Sequence, residues 1–216
     1  ALPSSFDGDA AFSLTSQLVH RFPNRVPGSP LDGEAAQWFA ATLAQYGLAT
    51  VDDTWSETIP GLGRVQLHNL AVVVPGAGKG VIAVVAHRDN NGLGAGANDN
   101  ATGTATLIQL ARAYAIAGTT STRPKPVHTL VFLSTDGGAF GSVGARRFVA
   151  TSTFRHDLLA AIVLDGLGGR GSPRLDRRQH RLPAVHARAG RRRHDRQAKR
   201  SGAGHVGNGA GRWWQG

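Results

Sequence analysis

Three short, almost unbroken apolar runs constrain this chain more than any other feature: VIAVVAH (residues 81–87), HTLVFLST (128–135) and LLAAIVLD (158–165). A strand without polar alternation is one buried on both faces, and such strands belong to parallel sheets covered by helices. The intervening segments carry a helical period. Leu107, Leu110, Ala111 and Tyr114 fall at i, i+3, i+4 and i+7 and predict a helix over 99–117 with that face buried. A glycine-rich turn at 137–142 leads into a further helix before the third run. Strands alternating with helices imply right-handed crossovers and a largely parallel sheet.

The preceding residues extend the pattern. Phe12, Leu14, Leu18 and Val19 mark a short amphipathic helix over 9–20, and the three prolines of RFPNRVPGSP (21–30) mark a loop. Ala36, Phe39, Ala40 and Leu43 line one face of a helix over 33–46, with Gly47 where a C-terminal cap glycine belongs. Residues 49–57 alternate weakly and 65–74 more strongly, as strands do.

At 216 residues the chain is long enough for one α/β domain with a substantial core. It has no apolar run near the ~18–20 residues that a membrane span needs, and no secretory signal. It begins at Ala1 and contains no methionine, so a processed or fragment N-terminus is expected, compatible with a leader or anchor upstream. Without cysteine there are no disulfides and no thiolate metal sites, so any metal must be held by His, Asp or Glu.

The net charge of +10 is unevenly placed. Up to Gly168 there are 11 Lys and Arg against 12 Asp and Glu; from Gly169 onward there are 13 against 2. Two regions are expected, a folded one over 1–168 and a basic tail over 169–216 that lacks a helix or strand period. The tail admits three readings. Its arginines and Trp213-Trp214 could bind and stack on nucleic acid; it could be a solvated disordered segment; or it could come from a GC-rich gene read in a shifted frame, the reading favoured here. The last would leave the domain cut in mid-sheet, with an edge strand and an apolar face exposed.

Open parallel sheets bind ligands beyond the carboxyl ends of their strands. His87 closes the first run, Asp165 closes the third, and Asp99 stands at the start of the helix after the first. Each alone also fits an ordinary role, a polar strand end or a helix N-cap. Together they form a reasonable ligand set for zinc. Asp89, two residues past His87, could accept from the imidazole N–H turned away from the metal.

These residues lie in AHRDN, GANDNATGTATLIQLARAY, HTLVFLSTDGGAFGSVGARRFV and AIVLDGLG, segments that resemble successive blocks of the co-catalytic zinc aminopeptidases, the bacterial leucyl aminopeptidase and aminopeptidase Y family, with glutamate carboxypeptidase and the transferrin receptor among its relatives. His87-Arg88-Asp89 matches the family's H-x-D, and Gly96 to Gly103 matches its G-A-x-D-N-A/S-G block. The resemblance implies an α/β three-layer sandwich of zinc-peptidase type with a mostly parallel mixed sheet, its C-terminal part missing or replaced. It implies that His87 and Asp165 bind one zinc, that Asp99 bridges two, that Asp89 orients His87, and that the substrate is a peptide. It also implies a secreted or membrane-tethered protein.

The family normally carries Glu-Glu after the second run, a general base followed by a ligand of the other zinc. Here those positions are Gly138 and Ala139. Asp136, two residues earlier, is the nearest carboxylate. The second zinc's histidine has no recognisable counterpart among the tail histidines. One metal position therefore keeps its ligands and the other lacks them, and weak or absent hydrolysis is expected. The alternatives are a non-catalytic peptidase fold used for binding or scaffolding, for which restoring Glu at both positions is the natural test, and nucleic-acid binding through the tail.

Overall fold

A computed structural model of the chain describes residues 6–119 and 125–169. Helix α1 (Gly8–Arg21) starts where the Asp7 carboxylate accepts the Ala10 N–H at 2.9 Å. Helix α2 (Pro30–Ala44) starts three residues earlier than its apolar period suggests, because Ser29 caps it and Pro30 occupies the first turn, where a missing N–H is harmless. Gly47 ends it in the left-handed region (φ 73°), with the Leu48 N–H donating back to the Leu43 carbonyl.

Strands β1 (Val51–Ile59) and β2 (Gly63–Val74) form an antiparallel hairpin. Strand β3 (Val81–His87) leads through a loop and a kinked segment, Ala97–Ala101, to helix α3 (Thr102–Thr119). Strand β4 (Thr129–Thr135), helix α4 (Val143–Thr151) and strand β5 (Leu158–Val163) follow. The sheet order is β1-β2-β4-β3-β5. β2 pairs with β4 antiparallel, and β3 runs parallel to both β4 and β5. This is the expected mixed sheet between helical layers.

Side chains alternate across the sheet, as strand geometry requires. Leu70, Val72, Val84, Ala86, Leu130 and Phe132 face a core built with α1, α2 and α3, where Leu18, Phe39, Leu43, Leu107 and Ile108 are fully buried. Ala71, Ala83, Val85, Val131 and Leu133 face Phe148 of α4 on the other side. Each large apolar side chain so buried contributes roughly 1.5–3 kcal/mol, which is why the central runs read so clearly.

Two expectations change. β5 reads as a strand buried on both faces, yet Leu159, Ile162 and Val163 are 62%, 50% and 69% exposed. It is an edge strand, and among the described residues only β3 pairs with it. The regular turns of α3 begin at Thr102 rather than at Asp99, whose backbone is extended (φ −119°, ψ 92°). The basic tail lies outside the described residues. No helix among the described residues is long and apolar enough to cross a membrane.

Candidate metal centre

The crossovers bring β3 and β5 side by side, so their carboxyl ends open onto one place. His87 is the last residue of β3. Asp165 follows β5 by two residues, and the Leu164 N–H, donating to Val85 at 2.8 Å, keeps the chain in register with β3 almost to that point. Asp99 arrives from the kinked segment, with a cis bond to Asn100. His87 Nε2 stands 3.0 Å from Asp99 Oδ1 and 4.0 Å from Asp165 Oδ1. One donor atom from each of the three lies within 4.8 Å of the others, the one such grouping among the described residues. The two carboxylates are 68% and 56% exposed, so the group faces solvent.

These separations suit a divalent cation. Zinc bonds imidazole nitrogen and carboxylate oxygen at about 2.0–2.2 Å, which in a tetrahedron puts neighbouring donors about 3.4 Å apart, and the observed 3.0 and 4.0 Å bracket that spacing. The other imidazole nitrogen is occupied. His87 Nδ1 lies 3.1 Å from the backbone carbonyl of Asp89 and 3.4 Å from its carboxylate. Both the main chain and the carboxylate of Asp89 thus face that nitrogen. Burial alone disfavours a charged imidazole here, but Asp89, then Asp165 and Asp99, outweigh it and raise the His87 pKa above its ordinary value. The same carboxylates give the group its negative charge, and a metal would have to displace the proton that they favour on His87.

The Asp89 carboxylate has another task. Fully buried, it accepts the Gly138 N–H at 2.8 Å and the Ala139 N–H at 2.9 Å. The turn that holds Glu-Glu in the resembled family is therefore tied down beside His87. A Cβ on Gly138 would stand 2.2 Å from His87 Cβ and 2.3 Å from Cγ. Ala139 is exposed. Asp136 is fully buried, accepts from the His68 and Gly137 N–H groups, and lies 3.5 Å from Arg88. It is not among the grouped donors.

Several residues hold the three groups in place in ways that the sequence pattern does not reveal. Buried Asn100 donates to the Leu164 carbonyl at 2.8 Å, tying the segment bearing Asp99 to the strand end bearing Asp165. Gly103 makes room for this, since a Cβ there would meet that carbonyl at 2.4 Å. The Thr104 hydroxyl lies 3.0 Å from the carbonyls of both His87 and Asn100.

Residues 69–206 match the sequence profile of Peptidase family M28. The chain belongs to that family. The expected kinship with co-catalytic zinc aminopeptidases is thereby borne out. Similar solved structures of this M28 chain include a glutaminyl cyclase from an Acidobacteriales bacterium (26% identity, TM-score 0.63, covering 78% of this chain and 61% of that one). A glutaminyl cyclase from Porphyromonas gingivalis (20%, 0.64, 78% and 62%) and a leucine aminopeptidase precursor from Bacteroides thetaiotaomicron (20%, 0.64, 79% and 66%) share the M28 fold. So does a Zn-dependent exopeptidase from Parabacteroides distasonis (18%, 0.63, 79% and 64%). The chain spans less than two thirds of the length of the glutaminyl cyclases. No curated protein sequence matches it.

Behind the centre, Arg88 sits fully buried between Asp32 and Asp136, 3.6 and 3.5 Å away. Among the described residues Asp32 Oδ1 and Arg88 Nε have no hydrogen-bond partner. Burial raises the pKa of both carboxyls, Asp136 well above its ordinary value, and the Arg88 charge only partly opposes this. The native state thus keeps a proton that the unfolded chain releases near pH ~4. Between that pH and the folded pKa the unfolded state binds fewer protons, so this cluster's contribution to stability falls as pH rises. Asp32→Asn should cancel part of that slope, because it removes one of the two titrating carboxyls while its amide oxygen can still accept the Gly28 N–H. Urea unfolding at pH 4.5 and 7.5 checks this. The variant should gain on the parent as pH rises, and a difference that is flat or of opposite sign refutes the assignment.

Proposed function

We propose that this chain holds one zinc ion through His87, Asp99 and Asp165 and hydrolyses N-terminal peptide bonds weakly or not at all. The observation that carries this reading is the turn at Gly138 and Ala139. Its backbone, bonded to Asp89, closes against His87 and presents no carboxylate. Zinc, when bound, supplies a Lewis acid for a carbonyl oxygen. What the chain's own residues supply is its seat: His87 with its remote nitrogen fixed, and two exposed carboxylates that leave the site open to a peptide end. A positioned base contributes about 10²–10⁴-fold to such reactions, and the described carboxylate beside the three donors, Asp89, is buried with both oxygens already accepting backbone N–H groups.

Purified protein with added zinc, assayed on a panel of aminoacyl amides, should run at least ~10²-fold slower than an M28 aminopeptidase carrying both glutamates. A rate within tenfold of such an enzyme rejects the reading. Full inactivity with retained zinc and peptide binding identifies a non-catalytic M28 fold used for recognition.

A second reading rests on the similar glutaminyl cyclases, one of them at 26% identity. Cyclising an N-terminal glutamine uses the substrate's own amine as nucleophile, so no water must be activated. Including a glutaminyl peptide in the panel separates the two readings: ammonia release without hydrolysis of the other substrates favours the cyclase.

A further inference from the structure

We propose that Arg25 is a positioning residue for the metal centre, the hub that sets how far Asp99 stands from His87; this rests on the zinc reading above. The two donors are joined by a loop, residues 88–98, of which the first three are buried and the remainder, 91–98, is rich in glycine and asparagine and largely exposed. Arg25 enters from the proline-rich loop between α1 and α2 and is fully buried. The hydrogen bonds from its guanidinium end on main-chain carbonyls at both ends of that loop. Nε donates to Arg88 at 2.9 Å, beside His87; Nη1 donates to Ala95 at 3.0 Å and Nη2 to Gly96 at 3.3 Å, beside the segment bearing Asp99. A further bond from Nη1 to Phe22 at 2.7 Å anchors the hub to the end of α1.

The clamp is reciprocal. The Arg25 N–H donates to Asn90 Oδ1 at 3.0 Å, and the Asn90 N–H donates to the Arg25 carbonyl at 2.9 Å. Asn90 Nδ2 donates to Pro23 and Gly94. The Gly96 carbonyl also accepts the Ala101 N–H at 3.0 Å, so Arg25 and the kinked segment meet on one oxygen. Gly96 itself is left-handed (φ 60°), and a Cβ there would lie 2.7 Å from the Asp99 carbonyl and 3.0 Å from Arg25 Nη2. Burial lowers the Arg25 pKa to about 10, against the opposing charges of Asp89 and Asp32, so it is a cation at neutral pH. Only a planar, forked donor reaches both ends of the loop at once; lysine offers a single point.

The test compares the 216-residue chain with Arg25→Lys and, as a matched destabilised control, Leu43→Ala in the core of α2. Zinc affinity is read by competition with a chromophoric chelator, and exchange of the Asn90 and Ala101 amides is read in metal-free protein. Arg25→Lys should weaken zinc binding at least ~10-fold, the scale of residues that orient metal ligands, and speed exchange at both amides relative to those of β3. Leu43→Ala should leave affinity within about twofold by the same standard. Unchanged affinity and exchange in Arg25→Lys, or equal losses in the control, overturn the proposal. If Arg25→Lys does not fold, Asn90→Ser, which cuts the loop's reciprocal tie, is read the same way, and unchanged affinity there also overturns it. If the parent chain binds no zinc, the metal reading fails by itself and exchange alone judges the clamp.

Discussion

Replacing Gly138 with Glu is expected to destabilise the protein and to weaken zinc binding, instead of supplying a base. On the present backbone the first side-chain carbon would stand 2.2 Å from His87 Cβ, well inside contact distance, and the atoms it meets belong to a side chain that is itself held. Either the imidazole turns away from Asp99 and Asp165, or the turn lifts and breaks its two hydrogen bonds to Asp89. Forcing extra atoms into a filled space costs about 1–3 kcal/mol or more, which for a chain of this size lowers Tm by about 2–4 °C per kcal/mol. Ala139→Glu is the contrasting case. Its side chain is exposed, and surface changes usually stay within about 0.5 kcal/mol. Thermal melts of the two single variants and a zinc titration decide the matter. Equal Tm values and equal zinc affinities would show that the turn is free to move. The glutamate restoration expected to separate an idle fold from an active one therefore requires the turn to be rebuilt together with the two side chains.

Asp89→Asn is expected to produce the second large effect, in the same place and for the opposite reason. The carboxylate uses one oxygen for each of two N–H donors, so an amide must present its NH₂ to one of them. Leaving a buried donor unpaired costs about 1–3 kcal/mol. The substitution also removes a negative charge that offsets the buried cation Arg25. With the turn released and the imidazole less well fixed, zinc affinity should fall by about 10–100-fold. Urea unfolding and chelator competition measure the two parts. A loss of stability without loss of affinity would confine Asp89 to holding the turn. Full retention of both would mean that neither bond to the turn matters.

The apolar runs announced three of the strands because such runs report burial directly, and β3 and β4 follow that rule. β5 does not: LLAAIV has the composition of a covered strand, while burial depends on neighbours that composition cannot name. The donor set His87, Asp99 and Asp165 was legible because each residue sits at a boundary between elements, where polar atoms are conspicuous after an apolar run. Arg25 was not legible. In RFPNRVPGSP it reads as a charge on a surface loop, since arginine is usually exposed, and only the carbonyls converging on it from 63 to 71 residues away along the chain reveal its place. Asn100 and Gly103 fall in the same class. They lie inside the recognised G-A-x-D-N-A/S-G block, but what they do, tying one donor segment to another, is a property of two distant pieces of backbone. The turn at Gly138 could be seen to lack its carboxylates, whereas its closure onto His87 could not.

The edge position of β5 has a thermodynamic consequence for the metal. Among the described residues, Asp165 hangs from the strand with the least cover, joined to the sheet by one parallel ladder and to the Asp99 segment by the bonds from Asn100 to Leu164 and from Gly168 to Asn98. An ion shared by His87, Asp99 and Asp165 would act as a third fastening, so fraying of the edge and release of the ion are one linked equilibrium. Chelation would then loosen the strand whose ladder and apolar side chains, uncovered among the described residues, favour pairing with another chain. If zinc binds as proposed, its concentration would by this linkage set how readily the protein stays apart from its own copies.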